Sequence, residues 1–166
     1  MTREEVIELL VNQTIGGQSM LFEIFTKILN VPQDKIQKKE LTYFALSVLS
    51  YLYLRIANSE NREDVLEMVT SIIFQRILPD CDVEIFLETF EEYEYRYNDE
   101  YEKFIPRILD KDGVIDSGFC TTLLMQIYEH VTGESAEKNM IKISVASPLL
   151  GQYVVDNIDF IKTNFP

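Results

Sequence analysis

The segment that most constrains the fold is an uncharged run of fourteen residues, LTYFALSVLSYLYL, from Leu41 to Leu54. A helix that is apolar on most of its circumference has to be covered by other helices. The run is shorter than the roughly 20 apolar residues of a membrane-spanning helix, and it includes Thr42, Ser47 and Ser50. It therefore predicts a buried central helix over about residues 41–57.

Helical periodicity continues along the rest of the chain, and no stretch alternates in the way a half-buried strand does. A chain of 166 residues with 46% hydrophobic content can bury one good core. We therefore expect an all-α, single-domain bundle of about six to eight helices over residues 1–166.

Several short signals predict where helices begin and end. Thr2 and Glu5 have the spacing of a capping box. Gly16-Gly17 is expected to break or bend the first helix. Asp116 or Ser117 is the candidate N-cap of a later helix. Ser147-Pro148 is typical of the N-cap and first residue of a final helix.

The negative charge is concentrated in one segment. The chain has a net charge of −13, and residues 80–116 alone carry thirteen acidic and four basic side chains, a net charge of −9. Such a segment repels a phosphate backbone and an anionic lipid surface, which disfavours binding to nucleic acid or membrane. A basic protein surface is its natural complement, and the alternative is that the charge only solvates an exposed helix.

A strongly amphipathic helix is predicted over about residues 83–105. At about 100° per residue, its apolar residues share one arc of about 120°. These are Val83, Phe86, Leu87, Phe90, Tyr93, Tyr97, Tyr101, Phe104 and Ile105. The partner-binding candidates lie outside that arc: Glu84, Glu88, Glu91, Glu92, Tyr95, Asp99 and Glu102. Glu94 falls inside the arc, so we expect it to be a buried carboxylate with a partner or a proton.

Metal and catalytic motifs are weak. The acid-rich turn Asp110–Asp116, DKDGVID, loses essential calcium ligands in either EF-hand register, so it predicts a capping turn. The only histidine, His130, has no Glu-x-x-His pattern around it. Cys81 and Cys120 are expected to be reduced thiols. We expect no metal, no cofactor and no catalytic residue.

Glu4 to Glu8, EEVIE, resembles the EExxE half of the magnesium-binding motif of all-α nucleotide pyrophosphohydrolases of the MazG kind. The resemblance covers five residues and would imply a carboxylate site for a nucleotide. The ExxD half is missing from the next helix, where Glu23 stands three residues before Thr26. Acids in the first turn of a helix also complement its dipole.

The leading hypothesis is a non-enzymatic, acidic protein-binding module that docks an anionic helix on a basic partner, as inhibitors, immunity proteins and anti-defence proteins do. The analogy rests on charge and size. The alternative is a helical-bundle enzyme or small-ligand sensor with a carboxylate site, such as a metal-dependent nucleotide hydrolase. Self-association into a homo-oligomer is a third possibility. No signal peptide is evident, so a cytoplasmic location is expected.

Overall fold

Six long α-helices make up most of the computed structural model, which describes residues 1–80, 82–109 and 112–166. They are α1 (Arg3–Glu23), α2 (Lys38–Ile56), α3 (Arg62–Ile77), α4 (Val83–Tyr95), α5 (Ser117–Thr132) and α6 (Met140–Asn164). No strand is present in this part of the chain. The prediction of an all-α helical fold is confirmed.

Short turns of other helix types extend or connect these helices. They are the π turns Ile24–Ile28 and Arg96–Tyr101, the short turn Glu102–Phe104, and the 3₁₀ turns Gln33–Lys35, Ile105–Arg107 and Ala136–Asn139. The π turn Arg96–Tyr101 continues α4 without a break, and Pro106 lies in the 3₁₀ turn that ends this continuous segment.

Helix α2 is buried along most of its length. Every residue from 40 to 50 is buried. The helix packs against α1, α3, α5, α6 and the π turn Arg96–Tyr101. Tyr43, Phe44 and Tyr53 are among its fully buried side chains, and each large apolar side chain removed from water contributes about 1.5–3 kcal/mol.

The expected break at Gly16-Gly17 is wrong, because α1 runs through both glycines. Gly17 is buried against the ring of Tyr153 from α6, and a Cβ at this position would overlap that ring. Gly16 faces open space. The second glycine therefore leaves room for the Tyr153 ring against α1, and the helix bears the entropic cost of two glycines.

The expected helix start at Ser147-Pro148 is also wrong, since Pro148 lies inside α6. Proline lacks the N–H that would bond to the carbonyl four residues earlier, which is that of Ser144. The Ser147 hydroxyl donates to the Ser144 carbonyl oxygen at 3.0 Å and so replaces the missing bond. Thr121 of α5 donates to Ser147 Oγ at 3.0 Å and fixes this arrangement.

Other local predictions are confirmed. Thr2 and Glu5 form the capping box of α1, and Asp116 accepts a hydrogen bond from the backbone N–H of Phe119 at the start of α5. Cys120 is a buried free thiol. Three residues named above, Cys81, Asp110 and Lys111, lie outside the described residues, so the predictions for Cys81 and for the start of DKDGVID stay predictions.

Candidate functional site

The outward face of α4 carries a row of four residues, which we call the outer stripe: Glu84, Glu88, Glu91 and Tyr95. Their spacing places them within about 60° of one another on the helix. The three carboxylates are exposed and Tyr95 is 56% exposed. Within the described residues none of the three carboxylates forms an ion pair. The outer stripe is therefore an anionic surface with one aromatic ring at its end.

The other predicted partner-binding carboxylates already have cationic partners within the chain. Lys39 Nζ lies 2.9 Å from Glu92 Oε2. Arg55 contacts Glu102 at 3.3 Å. Lys103 lies 3.9 Å from Asp99, and both of those side chains are more than half exposed. The structure thus separates the predicted partner-binding carboxylates into three that are paired within the chain and three that are left free on the outer stripe.

Glu92 is the most constrained of the paired acids. Besides Lys39, it accepts a hydrogen bond of 3.0 Å from the Tyr43 hydroxyl. Burial opposes its ionisation, but the hydrogen bonds from Lys39 and Tyr43 prevail and lower the pKa of Glu92 below its usual value. Glu92 therefore joins α4 to α2 and is held as a carboxylate.

The expectation that Glu94 is a buried carboxylate is wrong, because the side chain is exposed. Leu87 and Val83, which were expected on the buried face, are 54% and 75% exposed. The residues of α4 that face the core are Phe86, Thr89, Phe90 and Tyr93. This face is rotated by about 60° around the helix axis from the predicted arc, so Leu87 and Glu94 are exposed and Thr89 is buried.

Among the described residues the buried carboxylate is that of Glu40, whose side chain is 3% exposed. Arg96 approaches it through two nitrogens, with Nε 3.1 Å from Oε2 and Nη2 3.3 Å from Oε1. Arg96 Nη1 also donates to Glu100 at 3.3 Å, and His130 Nε2 lies 2.7 Å from the other Glu100 oxygen. This buried network joins α2, the π turn after α4, and α5.

Within the network the Arg96 guanidinium faces two carboxylates, those of Glu40 and Glu100. Burial opposes the charged form of Arg96, but hydrogen bonding to Glu40 prevails and raises the pKa of the guanidinium. A buried charge without a partner would be strongly unfavourable, and the paired arrangement removes that penalty. The network therefore ties the segment that continues α4 to α2.

Sequence reasoning missed this network, although one signal was present. Arg96 is the only basic residue between Asp80 and Glu102. A single cation in a segment of that charge is expected to pair with more than one carboxylate. Glu40 could not be found in the same way. It follows Lys38 and Lys39 at the start of α2, and a carboxylate next to lysines in sequence is expected to be exposed to solvent.

Five tyrosines have raised pKa values because burial disfavours the phenolate: Tyr43, Tyr93, Tyr97, Tyr101 and Tyr153. For Tyr97 the pKa rises to about 12. The Tyr101 hydroxyl is buried without a hydrogen-bond partner among the described residues. These rings pack in the core or directly against it. Because their pKa values are raised, the five phenols are neutral at physiological pH.

Metal-binding geometry is not found in the described ranges, which contain no group of three or more histidine, cysteine, aspartate or glutamate side chains suited to an ion. Glu5 is used in the capping box of α1, and Glu4 and Glu8 are exposed. The EEVIE run therefore acts at a helix start in this structure.

No described helix is both long enough and apolar enough to cross a membrane. Comparison with protein-family models, with curated proteins and with solved structures finds no match for this chain.

Proposed function

We propose that this chain is a non-enzymatic binding module whose outer stripe docks on a basic surface of another protein. The observation that carries the proposal is that Glu84, Glu88 and Glu91 have no cationic partner in the described structure, whereas Glu92 and Glu102 do. Three unpaired carboxylates in a row on a packed helix are a preoriented field for a cationic partner, and such fields steer and orient association.

The surface beside the outer stripe suits a protein partner better than a simple cation. Tyr95 lies at one end of the stripe, and the exposed side chains of Val83, Ile85 and Leu87 lie at the other. Protein interfaces combine aromatic and apolar contacts with a polar rim, because charges alone contribute little once desolvated. An inhibitor, immunity or anti-defence role is the functional class that this chemistry fits.

Helix α4 can present the stripe as a rigid unit. Glu92 is tied to Lys39 and Tyr43, and Arg96 is tied to Glu40. A preorganised surface loses less conformational entropy on binding than a mobile one. The internal ion pairs thus support the exposed carboxylates without using them.

The test is affinity capture from a lysate of the cells in which the protein occurs, with washes at low and high salt. The wild type is compared with Glu88→Gln/Glu91→Gln and with the control Glu4→Gln/Glu8→Gln. Both double variants remove two exposed negative charges from the outside of a helix. A basic partner that is released by high salt, lost with the stripe variant and retained by the control is the expected result.

A purified partner then gives the decisive measurement. Binding through a screened charge field should weaken steeply with ionic strength, because exposed charges interact over a Debye length of about 10 Å at 0.1 M salt. Affinity that is independent of salt, or equally reduced in both double variants, would contradict the proposal.

A further inference from the structure

A groove of about 430 Å³ lies between α3 and α4, next to the outer stripe. Its walls include Leu66, Phe90, Tyr93 and Tyr97, and Ser50 of α2 lies at its floor. The volume falls in the range of small-molecule and side-chain pockets, about 300–1,000 Å³. The groove can therefore take a side chain with an extended apolar stem.

The rim of the groove is anionic. Glu63 and Glu67 come from α3, and Glu94 comes from α4. These three carboxylates make no ion pair within the described residues, and the described lining of the groove includes no basic side chain. The unpaired charge of Glu94 therefore belongs to this rim, beside the apolar walls.

The floor of the groove holds an unused hydrogen-bonding group. Ser50 is 5% exposed, and its hydroxyl makes no hydrogen bond with the described residues. Burial raises the pKa of the neighbouring Tyr93, and the proximity of the Ser50 hydroxyl acts in the opposite direction. A buried hydroxyl without a partner is energetically unfavourable. It is the kind of group that an incoming donor would satisfy.

A neighbouring polar cavity of about 510 Å³ shares Leu54, Glu63 and Tyr97 with the groove. Its two arginines are already used. Arg55 pairs with Glu102, and Arg62 donates to the Ala57 carbonyl oxygen at 3.0 Å. The carboxylates on the groove side are therefore the ones left for an external cation.

We propose that this groove takes one arginine side chain of the basic partner, so the inference rests on the proposed function. The apolar stem of an arginine would lie between Leu66 and Phe90, as such stems do on apolar surfaces. Its planar guanidinium can stack on Tyr97 while donating to Ser50 Oγ and the rim carboxylates. Lysine lacks the stacking plane and has fewer donors.

Continuity with the outer stripe argues for a side chain of the partner. Glu94 and Tyr95 are adjacent in α4, so a partner that covers the stripe also borders the groove. Arginine is enriched among the few residues that dominate protein interfaces, usually in pockets like this one.

The experiment uses blocked arginine, N-acetyl-arginine methylamide, as the probe, and blocked citrulline as the control. Citrulline has the same shape but no charge. Amide NMR shifts of Ser50, Leu66 and Tyr93 should move in a saturable way with the arginine probe. Citrulline should produce no saturable change at the same residues.

Variants separate the groove from the stripe. Glu67→Gln/Glu94→Gln should weaken the arginine probe by about tenfold, the effect of roughly one good charge contact. Ser50→Ala should weaken it several-fold without loss of stability, since it deletes a hydroxyl that lacks a partner. Glu88→Gln/Glu91→Gln should leave it unchanged. Equal binding of arginine and citrulline, or no shift at these residues, would overturn the proposal.

The captured partner distinguishes this inference from the function on which it rests. Loss of the partner with both Glu67→Gln/Glu94→Gln and Glu88→Gln/Glu91→Gln supports both proposals. Loss with the stripe variant alone leaves the function in place and rejects the groove. Binding of blocked arginine without any basic partner keeps the groove as an arginine site and rejects the docking function.

Discussion

Replacing Arg96 by methionine should be among the most damaging single changes in this chain. Methionine keeps an unbranched apolar stem but removes the one cation that pairs with Glu40 among the described residues, where the Glu40 side chain is 3% exposed. Breaking a buried ion pair by removing one partner costs about 3–5 kcal/mol, because the other charge is left uncompensated. Folded domains are stable by only about 5–15 kcal/mol, so roughly a fifth or more of the stability would be lost.

The measurement is urea unfolding of the wild type, Arg96→Met, Glu40→Met and the double variant Glu40→Met/Arg96→Met. In urea the single Arg96 change should lower the free energy of unfolding by about 3–5 kcal/mol. In a thermal melt the same change should lower the melting temperature by roughly 6–20 °C for a domain of this size. The double variant should be more stable than the sum of the single changes predicts, by about 2 kcal/mol or more. Asp99→Asn, which breaks an exposed pair with Lys103, should cost less than about 0.5 kcal/mol.

Two results would refute this reasoning. A cost of Arg96→Met no larger than that of the Asp99 control would show that the stability does not depend on pairing Glu40 with this cation. The costs of the two single changes could also simply add in the double variant, which would show that Glu40 and Arg96 are not coupled.

Three further predictions follow from the structure. Gly17→Ala should lower the free energy of unfolding by about 1–3 kcal/mol because of the overlap with Tyr153, whereas Gly16→Ala should raise it by about 0.5–1 kcal/mol in the same denaturant titration. Folding lowers the pKa of Glu92, so its contribution to the free energy of unfolding is fully present above the unfolded pKa near 4.5 and is lost as pH falls through the folded pKa. In urea unfolding, the free energy of unfolding of Glu92→Gln should therefore fall less steeply than that of the wild type below about pH 4.5. Four buried tyrosines with raised pKa values, Tyr43, Tyr93, Tyr101 and Tyr153, should ionise together with alkaline unfolding, as followed by phenolate absorbance, because the unfolded phenols ionise from about pH 10 and draw the equilibrium toward the unfolded state; gradual ionisation of these four before unfolding would contradict their burial.

The helical class and the extent of burial in α2 could be predicted from the sequence because both depend on patterns of many residues. An uncharged run such as Leu41–Leu54 is too short to span a membrane, so a buried helix is the main structure left for it. The outward position of Glu84, Glu88 and Glu91 was equally predictable, since three acids at helical spacing cannot all be buried.

Helix length was harder to predict, because spatial contacts allow α1 and α6 to continue through residues that usually end helices. Gly17 lies inside α1 where Tyr153 needs room, and Pro148 lies inside α6 where Ser147 occupies the free carbonyl. Both effects depend on contacts between residues far apart in the sequence. Local propensity cannot report them, and this is a general limit of such reasoning.

The exposure of Glu94 shows that α4 packs in a different orientation from the one predicted. Two orientations of α4 bury aromatic rings, and they differ by about 60°. The observed orientation brings Arg96 to Glu40, and exposes Leu87 and Glu94. The loss of apolar burial at Leu87 is offset by pairing a carboxylate that α2 would otherwise bury alone.

The π turn Arg96–Tyr101 makes this orientation compatible with the rest of the segment. A π turn holds about one residue more than an α turn, so the residues after it are set back by about 100° around the axis. In a regular helix the rotation of α4 would carry Tyr101 and Ile105 away from the core. With the extra residue they are buried, at 0% and 3% exposure. The π turn thus lets one helix satisfy an ion pair in its middle and an aromatic core at its end, while its outer stripe stays free.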